Sequence, residues 1–308
     1  MFLKDLFSLA HFSVAAMQEV MERARYFKDR DRNQTFKSLQ GKNVAISFWE
    51  PSTRTRLSFA LAVQKLGGTV IDYQPEMGSE KKGESIEDTV KTMLSLGAAA
   101  LIFRSSIPGL FYEIAPHVEL SFISGGEGCY QHPTQALLDI FTLQQRGVTL
   151  QGANVVMVGD ILHSRVARSH FYALPAFGAS LTLVAPPVFL PDALVPPGAS
   201  AGFSLEEALP AADILYLLRV QKERQGVNLL PSLNAYASLY GLDQKRLALL
   251  KKDALLLHPG PMNVGTEISY EALKYLERHN PERVLFQEQV ANGVYTRMAV
   301  LDLLLAGR

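Results

Sequence analysis

Short apolar runs alternate with amphipathic stretches along nearly the whole chain. Each apolar run has the length of a buried strand, and apolar residues in the stretches between the runs recur at helical spacing. This alternation predicts an α/β fold with mostly parallel sheets. The predicted strands are 43–48, 69–73, 99–104, 120–124, 153–158, 180–185, 213–217 and 254–257; helical patterns include 84–96, 134–146, 164–177 and 288–305, and the proline-rich stretch 186–204 is predicted to be a loop.

The predicted strands fit either one barrel or two halves of four strands each. The long helical pattern over 133–146 ends in the polar Gln144–Gly147, and a fresh strand follows. This arrangement favours a connecting helix between two halves. We therefore predict two similar-sized, three-layer α/β/α domains with mostly parallel sheets of four to five strands.

Composition narrows the class of protein. Lysine plus arginine and aspartate plus glutamate number 30 each, so the chain has no global basic field for nucleic acid or for an anionic membrane. The single cysteine, Cys129, excludes an intrachain disulfide and a cysteine zinc cluster, and it fits a reducing compartment. The first residues lack a signal-peptide pattern, and no apolar run approaches the length of about 18 residues that a membrane span needs. We expect a cytoplasmic protein.

The most informative polar stretch lies between the first predicted strand and a helical pattern. It contains three hydroxyl groups (Ser52, Thr53 and Thr55) and two guanidinium groups (Arg54 and Arg56). A helix N-terminus presents unpaired N–H groups to an anion, and arginine adds bidentate donors. An ordinary helix cap is the alternative, but first helical turns favour acidic residues over two cations. The stretch therefore predicts a phosphate site.

Further polar clusters follow other predicted strands, where open α/β sheets bind ligands. Arg104 ends one strand and is either a solvated arginine or a second contact for the anion. His132 and Gln135 begin the connecting helix, where a neutral histidine either caps the helix or donates a hydrogen bond to a carbonyl oxygen. The charged loop Ser79–Glu84 is either a solvated turn or the carrier of a lysine that reaches a phosphate.

The second half offers groups for a small dicarboxylate. Arg165, Arg219 and Gln221 lie just after predicted strands, and two carboxylates need two separate cationic or amide anchors. A solvated charge run is the alternative. The turn His258–Pro261 is either merely rigid or presents carbonyl oxygens to a substrate N–H group. The sequence shows no serine–histidine–acid set, zinc spacing or nucleotide-binding motif. Chemistry would then rest on positioning and on stabilising charge on an oxygen, without a covalent intermediate.

Eight motifs occur in a fixed order from about residue 40 to the end: Glu50–Arg56, Lys81–Glu84, His132–Asp139, Gly159–Ser169, Arg219–Arg224, His258–Asn263, Gln289–Gly293 and Arg297–Leu301. Together they resemble the successive signatures of the aspartate/ornithine carbamoyltransferase family, aspartate branch. The resemblance implies transfer of the carbamoyl group from carbamoyl phosphate to L-aspartate. The products would be N-carbamoyl-L-aspartate and phosphate, in the committed step of pyrimidine synthesis.

The resemblance also implies an organisation. Residues 1–134 with the C-terminal helix 288–308 would form a carbamoyl-phosphate-binding domain, and 135–287 an aspartate-binding domain. It implies no cofactor, no metal, no nucleic acid and no membrane partner. A homotrimer with shared active sites would be the minimal active unit, and a larger assembly with regulatory chains or with a dihydroorotase is compatible with it.

The resemblance assigns the donor, carbamoyl phosphate, to one group of residues: Ser52, Thr53, Arg54, Thr55, Arg104, His132, Gln135, Pro259 and Gly260. The serine, the threonines and both arginines would hold the phosphate. Thr55, Arg104 and His132 would polarise the carbamoyl oxygen. Gln135 and the Pro259–Gly260 backbone would meet the carbamoyl amide.

The resemblance assigns the aspartate carboxylates to Arg165, Arg219 and Gln221. Lys82 would reach the site from an adjacent subunit, would also bind the aspartate, and would act with Arg54, Thr55, Arg104 and His132 in catalysis. Glu50 would orient Arg165 and Arg219 when the domains close.

Two observations separate aspartate from ornithine as the acceptor. Ornithine relatives carry a cysteine after the last strand and a Ser-Met-Gly loop, and this chain has His258–Pro261 and no such loop. The chain also departs from the aspartate branch at Gly78, where a serine is usual (Ser79 is one position away), and at Val264, where many bacterial members have arginine. A carbamoyltransferase with another amino-acid acceptor and a catalytically weak paralogue that binds carbamoyl phosphate are the remaining alternatives.

Overall fold

The chain forms two compact units. The computed structural model describes residues 4–31, 34, 36–75, 83–221 and 232–306. The first unit comprises Met1–Phe141 and Val290–Arg308, and the second comprises Thr142–Gln289. The sequence prediction put the two junctions at 134/135 and 287/288; in the structure they follow Phe141 and Gln289.

A parallel sheet forms the centre of the first unit. In the described residues its strands are β1 (Asn43–Phe48), β2 (Thr69–Tyr73), β3 (Ala98–Ser105) and β4 (Ser121–Glu127). The order across the sheet is β2-β1-β3-β4, and every pair is parallel. Val44, Ala45 and Ile46 in β1 are buried, as expected for a central strand that is covered on both faces. The predicted strands in this half are confirmed.

Helices precede, connect or follow the strands in the described part of the first unit. They are α1 (Val14–Arg30), α2 (Thr53–Lys65), α3 (Ile86–Ser95), α4 (Leu110–Ile114) and α5 (Pro133–Gln145). Phe59, Ala62 and Val63 form part of the buried face of α2, whereas Leu57 and Leu61 on the same helix are exposed. The predicted connecting helix is confirmed as α5.

The second unit is built on a larger parallel sheet. Its described strands are β5 (Asn154–Val158), β6 (Ser180–Val184), β7 (Ser200–Gly202), β8 (Ile214–Leu217) and β9 (Leu255–Leu257), in the order β7-β6-β5-β8-β9. The predicted strands and the predicted sheets of four to five strands are confirmed, but the prediction of a loop over 186–204 was wrong, because that stretch contains β7. This edge strand is the short, exposed to half-buried Ser-Ala-Gly, which has no apolar pattern to reveal it.

The remaining helices include a long one at the C-terminal end. In the second unit they are α6 (Arg165–Ala176), α7 (Leu205–Ala208), α8 (Leu233–Tyr240), α9 (Gln244–Leu247) and α10 (Tyr270–His279), and the last is α11 (Phe286–Leu305). From Val290 onward α11 belongs to the first unit. Within the described ranges, no helix combines the length and the apolarity needed to cross a membrane.

Candidate active site

The carboxyl ends of β1 and β3 mark the candidate binding edge of the first sheet. The chain passes from β1 to β2 on one side and places β3 on the other, which is the switch point where open α/β sheets bind ligands. Phe48, the last residue of β1, pairs with Arg104 of β3. The Arg104 guanidinium donates to Glu50 Oε1 at 2.8 Å and to the Gly125 carbonyl of β4 at 3.3 Å. Arg104 thus joins three elements of this edge.

The start of α2 differs from the other serine-capped helices. Ser52 occupies the cap position in an extended conformation (φ −160°, ψ 111°), but its hydroxyl makes no capping hydrogen bond. The first turn of α2 contains no acidic residue, and Thr53 and Arg54 are exposed there. Ser52 therefore does not act as an ordinary helix cap. Six serines do accept the expected backbone N–H bond at other helix starts: Ser13, Ser85, Ser164, Ser204, Ser232 and Ser269.

The two arginines of the α2 start have different surroundings. The Arg56 guanidinium forms a bidentate pair with Asp72 on β2, with Nε and Oδ1 3.1 Å apart. This surface pair occupies Arg56, so the predicted use of both guanidinium groups for phosphate was wrong for Arg56. Arg54 is exposed in the first turn, whereas Thr55 is buried behind it.

A tight turn brings the start of α5 to the end of β4. The Glu127 N–H donates to the Gln131 carbonyl at 3.1 Å, so the chain doubles back directly before His132. His132 and Gln135 are 4% and 8% exposed, and the Gln135 amide nitrogen donates to Asp139 at 3.0 Å. The structure therefore holds both predicted residues at this edge in buried positions.

The candidate binding edge of the second sheet lies between β5 and β8, again at a switch point of strand order. Gly159 follows β5 with φ +138°, and a Cβ there would lie 2.8 Å from the Leu218 carbonyl oxygen. Only glycine allows this close approach of the two strand ends. Arg165 begins α6 and is only 3% exposed, while Arg219 is half-buried one residue beyond Leu218.

Two buried carboxylates hold the segment after β8. Glu267 Oε1 accepts the Val220 N–H at 3.1 Å, and Asp160 Oδ2 accepts the Gln221 N–H at 3.3 Å. The Gln221 side-chain nitrogen donates to the His163 carbonyl at 3.3 Å. Glu267 and Asp160 are 1% and 0% exposed. Because consecutive backbone amides are fixed by different elements, the backbone that carries Arg219 and Gln221 is rigidly placed.

A histidine organises the turn after β9. His258 Nδ1 accepts the Gly260 N–H at 2.8 Å, which requires the histidine proton to be on Nε2 when the ring is neutral. That Nε2 lies 3.6 Å from Glu267 Oε2. The half-buried Pro259 and Gly260 are thus held in one conformation. Val264, one of the two departures from the family pattern, is exposed.

The structure gathers the predicted residues at two edges. The first edge has Glu50, Ser52, Thr53, Arg54, Thr55, Arg104, His132 and Gln135; the second has Arg165, Arg219, Gln221, Pro259 and Gly260. Lys82 and the departure at Gly78 lie outside the described residues. The role of Glu50 in domain closure stays a prediction; the structure shows its bond to Arg104.

Sequence reasoning missed the buried acids Asp139, Asp160 and Glu267. A local signal exists for two of them: Asp160 comes two residues after a strand, and Asp139 lies one helical turn after Gln135. In the described residues there is no group of three or more histidine, cysteine or acidic side chains that could hold a metal ion.

Two family models together cover most of the chain. The model described as "Aspartate/ornithine carbamoyltransferase, carbamoyl-P binding domain" matches residues 4–145, and the "Asp/Orn binding domain" model matches 151–304. The chain is 42% identical over 308 residues to the aspartate carbamoyltransferase catalytic subunit of Desulforudis audaxviator, covering 99% of this chain and 98% of that protein. It is 41% identical to the same subunit of Moorella thermoacetica, covering 99% and 98%.

Solved structures show the same similarity. Aspartate transcarbamoylase from Trypanosoma cruzi, in complex with N-(phosphonacetyl)-L-aspartic acid, matches with a TM-score of 0.88 and 27% identity over 98% of this chain and 96% of that one. The catalytic subunit of the M. jannaschii enzyme matches with a TM-score of 0.83 and 29% identity over 98% of each chain. The chain therefore belongs to the aspartate/ornithine carbamoyltransferase family.

Proposed function

We propose that this chain transfers the carbamoyl group of carbamoyl phosphate to the amino group of L-aspartate. The products are N-carbamoyl-L-aspartate and phosphate, and the step belongs to pyrimidine synthesis. One observation carries the proposal: each sheet has its own anion-binding groups at its switch point, Arg54 and Arg104 in the first unit and Arg165 and Arg219 in the second. The names of the similar catalytic subunits support it.

The first edge suits the phosphate of the donor. At the start of α2 the Ser52 hydroxyl is not used as a cap, so both this hydroxyl and the N–H groups of the first turn can serve an anion. Thr53 and Arg54 add donors in the same turn. Arg104 presents a guanidinium that Glu50 and the β4 backbone already orient. A preoriented fork loses less entropy when it binds a phosphate oxygen.

The reaction requires stabilisation of one developing charge. The aspartate amine attacks the carbamoyl carbon, the new C–N bond forms, and the carbonyl oxygen becomes an oxyanion. Thr55, Arg104 and His132 stabilise that oxygen, and Gln135 holds the carbamoyl amide together with the carbonyl groups of Pro259–Gly260. When the carbonyl re-forms, the C–O bond to phosphate breaks and its electron pair leaves with the phosphate. The proton lost by the amine goes to the departing phosphate.

The second edge suits a dicarboxylate acceptor. Arg165 and Arg219 offer two separate cations, and Gln221 adds an amide anchor whose backbone is fixed by Asp160. Ornithine would bring a side-chain ammonium toward these guanidinium groups, and like charges disfavour it. Aspartate is therefore the proposed acceptor.

The direct test is carbamoyl transfer from carbamoyl phosphate, with aspartate as acceptor and ornithine as the control. We expect carbamoyl aspartate and no citrulline. Product only with ornithine or with another amino acid would show that the acceptor is not aspartate. No product with any acceptor would show that the protein binds carbamoyl phosphate without transferring its carbamoyl group. Lysine substitution of Arg219 should raise the KM for aspartate about 10-fold or more, because lysine cannot reproduce a bidentate bond.

A homotrimer with shared sites is part of the same proposal. Leu57 and Leu61 lie one turn apart on α2 with 63% and 41% of their surface exposed, an apolar face that a second copy of the chain would cover. Lys82 would complete the site of a neighbouring subunit. Mixing inactive Lys82→Ala and Arg54→Ala chains should restore part of the activity, since one site in a hybrid combines two intact halves. No recovery after verified mixing would refute a shared site.

The larger assembly and the location are further proposals. Regulatory chains or a dihydroorotase would add to the trimer, and light scattering of the chain alone and with each candidate partner separates these cases. The single cysteine, Cys129, fits a cytoplasmic location.

A further inference from the structure

A buried polar group lies one helical turn below Gln135 in the first unit. The Gln135 Nε2 donates to Asp139 Oδ1 at 3.0 Å, and the two residues are 8% and 0% exposed. Positions four apart on α5 face the same side of the helix. The predicted mechanism uses Gln135 and gives Asp139 no role.

The contact fixes which end of the Gln135 amide faces the rest of the site. A carboxylate only accepts hydrogen bonds, so the amide NH₂ must face Asp139 and the carbonyl oxygen must face away from it. A carbonyl oxygen accepts from N–H donors. The carbamoyl group of the donor ends in an NH₂, which is the matching partner.

A buried cation balances the charge of Asp139. Arg297 on α11 is 3% exposed, and its guanidinium lies over the Phe59 ring at 5.0 Å from the centroid. Burial lowers the pKa of Arg297 to about 10, and the negative charge of Asp139 opposes that shift. Arg297 therefore stays a cation near neutral pH, and Asp139 provides a compensating charge.

Helices α5 and α11 approach each other closely beside Arg297. Gly293 precedes Arg297 by one turn on α11, and a Cβ at Gly293 would lie 2.5 Å from the Arg297 guanidinium and 3.2 Å from Leu138 of α5. A side chain there would displace Arg297 or push α11 from α5. Glycine at this position thus allows the cation to lie between the helices.

We propose that Asp139 is a positioning residue that orients the Gln135 amide, so that the site selects an acyl phosphate with N–H donors on its acyl group. The inference rests on the proposed function, because it concerns how the same site recognises carbamoyl phosphate. It predicts discrimination against acetyl phosphate, which has the same phosphate and carbonyl oxygen but a methyl group in place of NH₂.

Three ligands separate this role from a general structural one. Carbamoyl phosphate, acetyl phosphate and inorganic phosphate share the phosphate contacts, but only the first has an NH₂ for Gln135. In Asp139→Asn the new amide can donate as well as accept, so Gln135 is free to turn. We expect the Kd of carbamoyl phosphate to rise about 10-fold, the loss of one hydrogen bond. The Kd values of the other two ligands should stay within about twofold.

A second variant covers the case in which Asp139→Asn leaves Arg297 uncompensated and the chain folds poorly. Asp139→Asn combined with Arg297→Gln removes both charges, so neither is buried alone. The same three titrations apply, and thermal unfolding checks that the variant is folded. Gln135→Leu, which removes the amide itself, sets the largest selective loss to be expected.

The outcomes distinguish the positioning role of Asp139 from the proposed function of the protein. A selective loss of carbamoyl phosphate affinity supports the positioning role. An equal loss for all three ligands, or none for any, overturns it. If the unmodified protein binds carbamoyl phosphate and forms carbamoyl aspartate while the variants show no selective loss, only this inference fails. If the unmodified protein forms no product, the proposed function itself fails.

Discussion

Helices α2 and α6 occupy equivalent places in the two units and use their first turns differently. Each follows a central strand of its sheet, and each begins after a serine with an arginine close behind. Ser164 caps α6 in the usual way, accepting the Ala167 N–H at 3.1 Å. Ser52 makes no such bond on α2. One serine stabilises its helix, and the other leaves the helix start available to a ligand.

The difference matches the two anions that we propose. A phosphate has several acceptor oxygens, so a helix start that offers amides and hydroxyl groups together suits it. A dicarboxylate is recognised at two separated points, which suits single guanidinium groups such as the buried Arg165. In the second unit, two buried acids, Asp160 and Glu267, also accept hydrogen bonds from backbone amides beside Arg219. In the proposed function, one strand–turn–helix pattern would thus serve two kinds of anion site.

The largest effect should come from the arginine in the first turn of α2. Arg54→Ala removes a guanidinium from the phosphate while leaving the helix intact, and we expect kcat to fall about 100- to 1,000-fold, as when a group that stabilises developing charge is lost. Arg56→Ala is the matched control, because Arg56 is paired with Asp72 at the surface. Its kcat should stay within about twofold, since exposed pairs contribute little. Steady-state kinetics of both variants decide this, and equal losses would mean that the first turn acts as a whole.

The different roles of Ser52 and Ser164 can be tested by measuring stability and carbamoyl phosphate affinity in matched alanine variants. Ser164→Ala should cost about 1 kcal/mol, lowering Tm by about 2–4 °C, with carbamoyl phosphate affinity unchanged. Ser52→Ala should leave Tm unchanged and weaken carbamoyl phosphate about 10-fold, because a charge-assisted hydrogen bond is lost. Thermal unfolding and calorimetric titration of both variants measure the two quantities. If Ser52→Ala lowers Tm as Ser164→Ala does and leaves the affinity intact, the distinction between the helices is wrong.

Local patterns in the sequence predicted most of the fold and the first-turn residues. The apolar runs revealed eight strands because parallel strands are buried on both faces. The edge strand Ser200–Gly202 was not found, since it is short and has no apolar pattern. The string from Ser52 to Arg56 is contiguous, so its chemistry could be recognised without a structure.

Contacts between distant residues could not be predicted. Asp160 accepts an amide 61 residues away, and Glu267 accepts one 47 residues away. Such partners depend on strand order and register, which the local pattern does not contain. The same holds for Arg56, whose pairing with Asp72 depends on β2 lying beside β1.

A smaller effect is expected at the turn after β9, whose Pro259–Gly260 backbone is proposed to hold the carbamoyl amide. His258→Leu removes the acceptor of the Gly260 N–H, and we expect kcat/KM for carbamoyl phosphate to fall about 5- to 10-fold. His258→Asn is the matched control, because an asparagine oxygen can accept the N–H two residues later in an Asx-turn. Kinetics of both variants should show rescue by asparagine. Equal losses in both would assign His258 to packing alone.

The smallest effect concerns a buried acid of the first unit. Glu127 ends β4 and is fully buried; burial raises its pKa above the usual 4.5, while backbone amides of Gly109 and Phe111 hold it down. Because the pKa of Glu127 is raised in the folded state, its contribution to folding stability is fully present below about pH 4.5, where the acid is protonated. This contribution is lost as pH rises through the folded-state pKa.

Glu127→Gln keeps an acceptor oxygen for those amides and cannot ionise. Its Tm should equal that of the unmodified protein near pH 4 and exceed it increasingly toward pH 7, because only the glutamate has to bury a charge there. Exposed Glu113→Gln is the control and should show no such trend. Thermal unfolding across this pH range measures both. A Glu127→Gln protein that becomes progressively less stable than the unmodified protein as pH rises from 4 to 7 would show that the carboxylate is held more favourably in the fold than in water. The first unit would then use its buried acid as the second unit uses Asp160 and Glu267.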